Sequence, residues 1–140
     1  MHGVLAISQT DKRPMYLQIM EQIRQRIAVG DWTEGQPLPS IRQLAVALEV
    51  SVITVKRAYL ELEREGVITT QQGKGSHVAS NPGLGTRLRE RELDKHLEEA
   101  ARMAANVGIT RGELEQRLRA AVARHEDNEA AESAAESEAV

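Results

Sequence analysis

The segment from residue 40 to residue 78 constrains the fold more than any other part of the chain. It contains two short stretches with helical spacing of apolar residues, joined by a turn at residues 49–51. A β-rich stretch follows, with Gly73, Lys74 and Gly75 at its tip. Helix, turn, helix and hairpin in this order is typical of a winged helix-turn-helix domain. Such a domain places one helix in the major groove of DNA, while the hairpin reaches the neighbouring backbone.

The first helix of the pair is marked by its N-terminal residues. Ser40 precedes the first apolar position and Gln43 follows three residues later, which predicts a capping box. A single buried stripe is predicted because the apolar positions recur at helical spacing. These positions are Ile41, Leu44, Ala45 and Leu48.

The second helix is predicted to begin after Ser51, whose hydroxyl can accept a hydrogen bond from an N–H of the first turn. Gly66 is predicted to end it. Glu49 lies in the preceding turn, where a left-handed conformation would cost roughly 1 kcal/mol. The exposed face of the first turns can offer hydroxyls and cations to phosphates, and a methyl contact to thymine. Its members are Ile53, Thr54, Lys56 and Arg57.

The hairpin is predicted from residues 67–70, which are rich in β-formers, and from residues 76–78, which can return antiparallel to them. The glycines between them let the backbone approach a phosphate closely, and Lys74 can neutralise that phosphate. The alternative is a surface hairpin with a solvated lysine. Because the hairpin comes directly after a helix-turn-helix, the interpretation as a DNA-contacting wing is favoured.

The region upstream is predicted to be a helix over residues 14–29, because apolar residues recur there every four positions. Gly30 ends this helix, and residues 30–40 form a connector with turn residues throughout. Trp32 in the connector has two interpretations. It either binds a ligand or packs the connector against the first helix, and the second interpretation is favoured.

The chain resembles the GntR family of bacterial transcription regulators over about residues 8–80. The short C-terminal part resembles the YtrA-type branch, whose members carry two helices there for dimerisation. The motifs that carry the resemblance are Pro14-x-Tyr16 with Gln18 and Ile19, Gly30-x-Trp32-x-x-Gly35-x-Pro37-Leu38-Pro39-Ser40-x-Arg42-x-Leu44-Ala45, Ser51-x-x-Thr54-Val55-x-Arg57-Ala58-Tyr59-x-x-Leu62-Glu63-x-Glu65-Gly66, and Gly73-Lys74-Gly75-Ser76-His77-Val78.

The resemblance implies roles for individual residues. Arg42 corresponds to an arginine that reads bases or binds phosphate, and the wing tip corresponds to a segment that enters the minor groove. Many relatives have a guanine-reading arginine after Ser51, where this chain has Val52 followed by Ile53. Readout is therefore expected to depend more on Arg42, Lys56 and methyl contacts. The predicted DNA-binding residues are Ser40, Arg42, Ser51, Val52, Ile53, Thr54, Lys56, Arg57, Gln72, Gly73 and Lys74.

The segment at residues 84–125 is predicted to form two helices, separated by a break at Gly108. A pair of helices of about 40 residues cannot close a core around its own apolar faces. The predicted partner is the same segment of a second chain, and the alternative is packing back on the winged domain. The predicted dimerisation residues are Leu88, Leu93, Leu97, Ala101, Leu114, Leu118 and Val122.

The net charge of −3 is unevenly distributed along the chain. Residues 126–140 carry six acidic and no basic side chains, and the rest of the chain is mildly basic. Without large apolar residues this tail is predicted to be disordered, apart from a turn or two that continues the preceding helix. It is expected to be a solvated segment, and the alternative is a mimic of DNA that folds back on the basic face.

Several function classes lose support from the sequence. There is no cysteine, no apolar run of about 20 residues and no basic N-terminal segment before an apolar one, so a cytoplasmic protein is expected. No catalytic constellation is evident, and His96 among glutamates is better explained by an exposed helix face than by a metal site. We therefore expect no enzymatic activity, cofactor or metal.

The expected fold is mainly α with a small β-hairpin. It comprises a winged helix-turn-helix domain at residues 8–80, a helical dimerisation segment at residues 84–125 and the acidic tail at residues 126–140. The expected function is sequence-specific transcription regulation by a homodimer that acts as a repressor on a palindromic operator. Regulation of its own gene is part of this expectation. The alternative is a protein–protein adaptor that uses the C-terminal helices. No small-molecule effector is identified from the sequence.

Overall fold

The computed structural model describes residues 5–8 and 11–139, and the chain divides into two compact units at the boundary between Leu93 and Asp94. The described residues are mostly helical with a two-stranded antiparallel hairpin, so the predicted fold class is confirmed. The elements are α1 (Met15–Ala28), α2 (Ile41–Leu48), α3 (Val52–Arg64), β1 (Ile68–Gln71), β2 (Gly75–Val78), α4 (Leu84–Val107) and α5 (Arg111–Glu138).

The core of the first unit is mainly aliphatic, and its buried aromatic members are Trp32 and Tyr59. The inner faces of α1, α2 and α3 supply most of it, and the residues that begin and end the hairpin close it. Burial of this apolar surface is the main force that holds the three helices together. The largest fully buried side chains are Ile19, Ile23, Leu44, Val55, Leu62, Val67 and Ile68.

The connector between α1 and α2 packs against the core and pairs with the hairpin. Trp32 is buried in the core, so the predicted packing role is confirmed. Further along, the Leu38 N–H donates to the Ser76 carbonyl at 2.8 Å, and the Val78 N–H donates to the Gln36 carbonyl at 2.9 Å. The connector therefore lies along the outer edge of β2 and fixes the hairpin against the start of α2.

The first turns of α4 belong to the core of the first unit. Leu84 is 4% exposed and Leu88 is 5% exposed, and both lie in the same hydrophobic cluster as α1 and α3. Arg91 adds an ion pair with Glu65 at 3.6 Å. The side chain of Leu88, which the sequence predicts to contribute to dimerisation, is thus covered within the first unit, and its part in a dimer stays a prediction. The predicted boundary between residues 80 and 84 falls inside this unit for the same reason.

The second unit contains the end of α4 and the whole of α5. Gly108, with φ 76°, lies between the two helices, at the predicted break. The Thr110 side chain then accepts a hydrogen bond from the Glu113 N–H at 3.2 Å and caps α5. Among the described residues, no helix is both long and apolar enough to cross a membrane.

The acidic tail is helical, where the sequence predicts disorder beyond a turn or two. α5 continues without interruption to Glu138, and its side chains after residue 114 are exposed. Alanine and glutamate are strong helix formers, and each residue added to an existing helix gains a backbone hydrogen bond at no further nucleation cost. Local propensity therefore orders the segment although it buries nothing.

Candidate nucleic-acid interface

The N-terminus of α2 is fixed by the predicted capping box. The Ser40 hydroxyl accepts a hydrogen bond from the Gln43 N–H at 3.1 Å, and the Gln43 side chain accepts one from the Ser40 N–H at 3.0 Å. This reciprocal pair satisfies two backbone donors that the helix itself cannot. Arg42 follows in the first turn, with an exposed side chain. The cap therefore fixes the position on α2 from which the Arg42 side chain projects.

The turn between α2 and α3 contains a strained residue. Glu49 has φ 55° and ψ 43°, the left-handed conformation that the sequence anticipated as a cost. In this turn the Val50 N–H donates to the Ala45 carbonyl at 3.0 Å, and the Val50 side chain is partly buried against the core. The strained residue lets the chain reverse within three residues and start α3 against α2.

The N-terminus of α3 is capped by Ser51. Its hydroxyl oxygen accepts a hydrogen bond from the Thr54 N–H at 3.1 Å and lies 2.8 Å from the Thr54 hydroxyl. Thr54 is half-buried, so its hydroxyl supports the cap. The positive end of the helix dipole lies at this position and attracts anions such as phosphate.

The outer face of α3 presents two apolar side chains and two cations. Val52 is 46% exposed and Ile53 is 78% exposed, and Lys56 and Arg57 are also exposed. Ile53 lies in the first turn of α3 and stays exposed, so the fold gains no free energy from burying its apolar side chain. A thymine methyl in a major groove would supply the missing apolar contact.

The inner face of α3 holds the helix rigidly. Val55, Ala58 and Leu62 are completely buried. The buried Tyr59 hydroxyl donates a hydrogen bond to the Pro39 carbonyl at 2.8 Å, and burial raises the pKa of Tyr59 well above its ordinary value. This bond ties α3 to the connector residue directly before the cap of α2. This hydrogen bond joins α3 to the start of α2, in addition to the turn that connects the two helices.

Arg57 has a structural contact that the sequence did not predict. Its guanidinium carbon lies 3.9 Å from the centre of the Tyr16 ring, a cation–π arrangement between α3 and the first turn of α1. The stacking restricts the orientation of Arg57. Pairs this far apart in sequence leave no periodic signal, although both residues belong to the motifs that carry the family resemblance.

The wing is a tight hairpin whose tip is exposed. Residues 68–71 pair with residues 75–78, and the Lys74 N–H donates to the Gln71 carbonyl at 3.0 Å. Gly73 has φ 81°, and a side chain there would meet nothing within 4 Å. The glycine is therefore required by the backbone conformation. Gln72, Gly73 and Lys74 are all exposed.

Three cations of the predicted interface differ from the other basic residues of the first unit in their surroundings. Outside the predicted interface, Arg13, Arg24, Arg26 and Arg64 each form an ion pair with a carboxylate. Within the described part of the chain, no carboxylate lies within 4.0 Å of the charged groups of Arg42, Lys56 or Lys74. A surface that keeps its cations unpaired retains their charge for an external anion.

The predicted dimerisation residues other than Leu88 remain uncovered to different degrees. Leu97 is 42% exposed and Leu118 is 50% exposed, while Leu114 is half-buried. Two further large side chains are exposed on α4 and were not among the predicted residues, Met103 and Val107. Their spacing of four residues was the signal for a second edge to the α4 stripe. The other predicted residues with exposed side chains are Leu93, Ala101 and Val122.

Comparison with known proteins identifies the family. The model of the bacterial regulatory proteins, gntR family, matches residues 15–78. The chain is 31% identical over 102 residues to the uncharacterized HTH-type transcriptional regulator YhcF of Bacillus subtilis, covering 73% of this chain and 84% of that protein. It is also 37% identical over 78 residues to the HTH-type transcriptional repressor YtrA of the same organism, covering 56% of this chain but only 60% of that repressor.

Solved structures agree with this assignment. A GntR family transcriptional regulator from Listeria monocytogenes superposes with a TM-score of 0.68 at 29% identity, covering 78% of this chain and 96% of that one. YtrA from Sulfolobus acidocaldarius, a GntR-family transcription factor, superposes with a TM-score of 0.54 at 34% identity, covering 69% of this chain and 99% of that one. AraR(DBD) in complex with operator ORX1 superposes with a TM-score of 0.52 at 28% identity, covering 56% of this chain and 100% of that one.

The assignment also determines the class of protein. YhcF, both YtrA proteins and the Listeria monocytogenes protein are transcription regulators, and AraR(DBD) is bound to an operator. The matched region contains α1 to β2, the whole winged helix-turn-helix. The chain therefore belongs to the GntR family of bacterial transcription regulators, on its YtrA-type branch, and is a DNA-binding regulator, not an enzyme.

Proposed function

We propose that this chain is a repressor that binds a roughly palindromic operator as a homodimer. The observation that carries the proposal is that Arg42 on α2, Lys56 on α3 and Lys74 in the wing have no carboxylate within 4.0 Å among the described residues, beside the exposed first turn of α3. Four other arginines of the same unit each form an ion pair with a carboxylate, namely Arg13, Arg24, Arg26 and Arg64. The structural neighbour AraR(DBD), in complex with an operator, supports DNA as the anion.

Within this proposal, α3 lies in the major groove. Lys56 and Arg42 contact base edges or phosphates, and Val52 and Ile53 contact thymine methyl groups. Ser40 and Ser51 present helix N-termini to the backbone, and the cap that each forms keeps its hydroxyl in place. Thr54 acts through the Ser51 cap, and Arg57 acts from its position on the Tyr16 ring.

The wing contacts the DNA backbone. Its tip, residues 72–74, enters the minor groove, where Gly73 permits a close approach and Lys74 neutralises one phosphate. His77 lies within β2 opposite Thr69, away from the tip, and we assign it a structural role. The wing therefore contributes affinity, and α2 with α3 contributes sequence preference.

The homodimer forms through the second unit. The apolar residues of α4 and α5 in this unit, among them Leu97, Leu118 and Val122, are too exposed for a stable isolated pair of helices. A two-fold dimer presents two copies of α3 related by the same axis, which matches a palindromic site. Linking two winged domains also raises the effective concentration for the second half-site.

Repression, autoregulation and a cytoplasmic location complete the proposal. The name of the related Bacillus subtilis YtrA describes a repressor. A repressor acts by occupying promoter DNA, which places it in the compartment that holds the chromosome. The regulator's own promoter region is the first candidate operator.

A mobility-shift assay on that promoter region tests the proposal. We expect a complex that resists competitor DNA and weakens steeply with salt. Arg42→Ala and Lys56→Ala should each lose about 1–3 kcal/mol of specific binding, because each removes a contact to a base edge. Circular dichroism should show an unchanged fold, since both side chains are exposed. Salt-insensitive or absent DNA binding would instead favour the protein–protein adaptor.

A further inference from the structure

Arg57 is held by an aromatic ring instead of by a carboxylate. Its guanidinium carbon lies 3.9 Å from the centre of the Tyr16 ring, where the negative face of the ring attracts the positive charge. Within the described residues, no carboxylate lies within 4.0 Å of this guanidinium, and no hydrogen bond engages its N–H groups. The contact therefore holds the side chain without neutralising its charge.

The Tyr16 ring is a fixed support for this arginine. It lies in the first turn of α1 and packs, partly buried, against the hydrophobic core. α1 packs on α3, whose inner side chains are completely buried at Val55, Ala58 and Leu62. A tyrosine side chain has only two rotatable bonds, so little entropy is lost when it is fixed. Both partners of the contact are thus attached to helices that the core holds in place.

Arg57 lies at the edge of the face that α3 is proposed to insert into the major groove. Residues four apart share one face of a helix, so Arg57 lies one turn beyond the exposed Ile53. Its contact with Tyr16 places it on the side of α3 next to α1. The flank of a helix in the major groove faces the phosphates of the groove wall, where contacts that position the protein are made.

We propose that Tyr16 is a positioning residue for DNA binding, which holds the Arg57 guanidinium with its N–H groups turned outward to one backbone phosphate. Stacking uses the face of the guanidinium. It leaves the N–H donors, which lie in the plane of the group, able to bind two phosphate oxygens at once. The inference rests on the proposed DNA binding and adds to it a residue of α1 that does not itself touch the DNA.

Preorganisation is the physical reason why the ring affects affinity. An unrestrained arginine side chain loses rotamer freedom when it binds a phosphate, and this loss opposes binding. The ring reduces the loss because it orders Arg57 before the DNA binds. Removal of the ring should therefore weaken DNA binding about three- to tenfold while the number of phosphate contacts stays the same.

Tyr16→Leu in the full chain tests the inference. Fluorescence anisotropy measures the Kd for a labelled mixed-sequence duplex at several salt concentrations, since a phosphate contact is independent of sequence. Tyr16→Leu should raise the Kd about three- to tenfold with an unchanged salt slope. Arg57→Ala should raise the Kd further and reduce the slope by roughly one phosphate contact. Arg64→Ala is the matched control and should change neither, because this arginine of the same helix is paired with Glu61.

A double-mutant cycle shows whether Tyr16 acts through Arg57. In the Arg57→Ala background, Tyr16→Leu should have no further effect on the Kd. Equal losses in both backgrounds would mean a role that does not need the arginine, and would overturn the inference. Tyr16→Phe should bind like the wild type, because the ring remains and, among the residues described, no partner accepts a hydrogen bond from the Tyr16 hydroxyl. A loss with phenylalanine would instead assign Tyr16 a direct contact with DNA, which also contradicts the inference.

Arg57→Lys tests the same contact at an exposed position, where a substitution does not disturb the core. Lysine keeps the charge but lacks the planar group, so the Kd should rise with an unchanged salt slope. This variant decides the matter if Tyr16→Leu proves unfolded by circular dichroism, and a Kd equal to that of the wild type would then sink the inference. A wild-type chain that binds no duplex even at low salt would overturn the proposed function as well.

Discussion

The two units of this chain contain similar helices but differ in what those helices cover. In the first unit, α1, α2 and α3 bury their apolar stripes almost completely, and side chains such as Ile23 and Leu62 have no exposed surface. In the second unit, Ala104 is the one residue described as buried, and Leu118 is half exposed. The same kind of amphipathic pattern is therefore satisfied within the chain in one unit and left unsatisfied in the other.

The difference indicates how the two units are stabilised. Apolar burial stabilises by about 25 cal/mol for each Å² removed from water, so the first unit carries its own stability. The second unit gains little from its internal contacts, and its helices depend on caps and propensity until a partner covers them. Stability of the first unit should therefore be independent of protein concentration, whereas stability of the second should not.

The largest expected effect is a difference between two truncations. A fragment of residues 1–93 should fold as a monomer, whereas one of residues 1–82 should be severely destabilised. The shorter fragment lacks Leu84 and Leu88, and loss of a buried leucine costs about 2–5 kcal/mol. Urea denaturation of both fragments, followed by circular dichroism, makes the comparison. Equal midpoints would mean that the start of α4 does not belong to the first unit.

The longer fragment also tests dimerisation. It should sediment as a monomer and bind an operator far more weakly than the full chain, because it loses the second linked domain. A dimeric fragment would place the interface in the winged domain.

A pair of leucine substitutions sharpens the contrast. Leu62→Ala should lower the free energy of unfolding by about 2–5 kcal/mol at every protein concentration, because it opens a cavity in the core. Leu118→Ala should leave the first unit unaffected and weaken the dimer, so its effect on the melting temperature should grow with dilution. Differential scanning calorimetry over a range of protein concentrations distinguishes the two. A concentration-independent effect of Leu118→Ala would argue against an intermolecular role.

Local signals predicted the first unit well. Ser40 and Gln43 form the capping box that their spacing indicated, and Ser51 caps α3 as predicted. Gly66, with φ 76°, follows the end of α3 as predicted. These features depend on residues within a few positions of one another. The family motifs predicted the candidate contacts on α2, α3 and the wing, and the role of these residues in binding DNA stays a prediction.

Contacts between residues far apart in the chain could not be predicted from the sequence. The stripe that contains Leu88 has the same helical spacing as the one that contains Leu93, and only the fold shows that the first is covered by the winged domain. The contact between Tyr16 and Arg57 likewise follows from the packing of α1 on α3. The helical conformation of the acidic tail was not predicted from the sequence. Low apolar content indicates disorder, whereas the helix propensity of alanine and glutamate favours the helix.

A smaller effect is expected from a wing substitution. Lys74→Ala should weaken binding to every DNA sequence about equally and reduce the salt dependence by roughly one phosphate contact. Arg102→Ala, which removes an exposed cation of the second unit, is the matched control and should leave the salt dependence unchanged. Fluorescence anisotropy at several salt concentrations gives both slopes. A changed sequence preference with an unchanged slope would contradict a backbone role for the wing.

The smallest predicted effect concerns the turn of the first unit. Glu49 has φ 55°, and a left-handed conformation costs a residue with a side chain roughly 1–2 kcal/mol. Glycine avoids this cost but loses about 0.5–1 kcal/mol through the greater freedom of the unfolded chain. Glu49→Gly should therefore stabilise the first unit by about 0.5–1 kcal/mol, whereas Glu49→Ala should not, because alanine has the same restriction. Urea denaturation of the 1–93 fragment measures both variants, and a Glu49→Gly fragment less stable than wild type would show that the glutamate side chain makes a compensating contact.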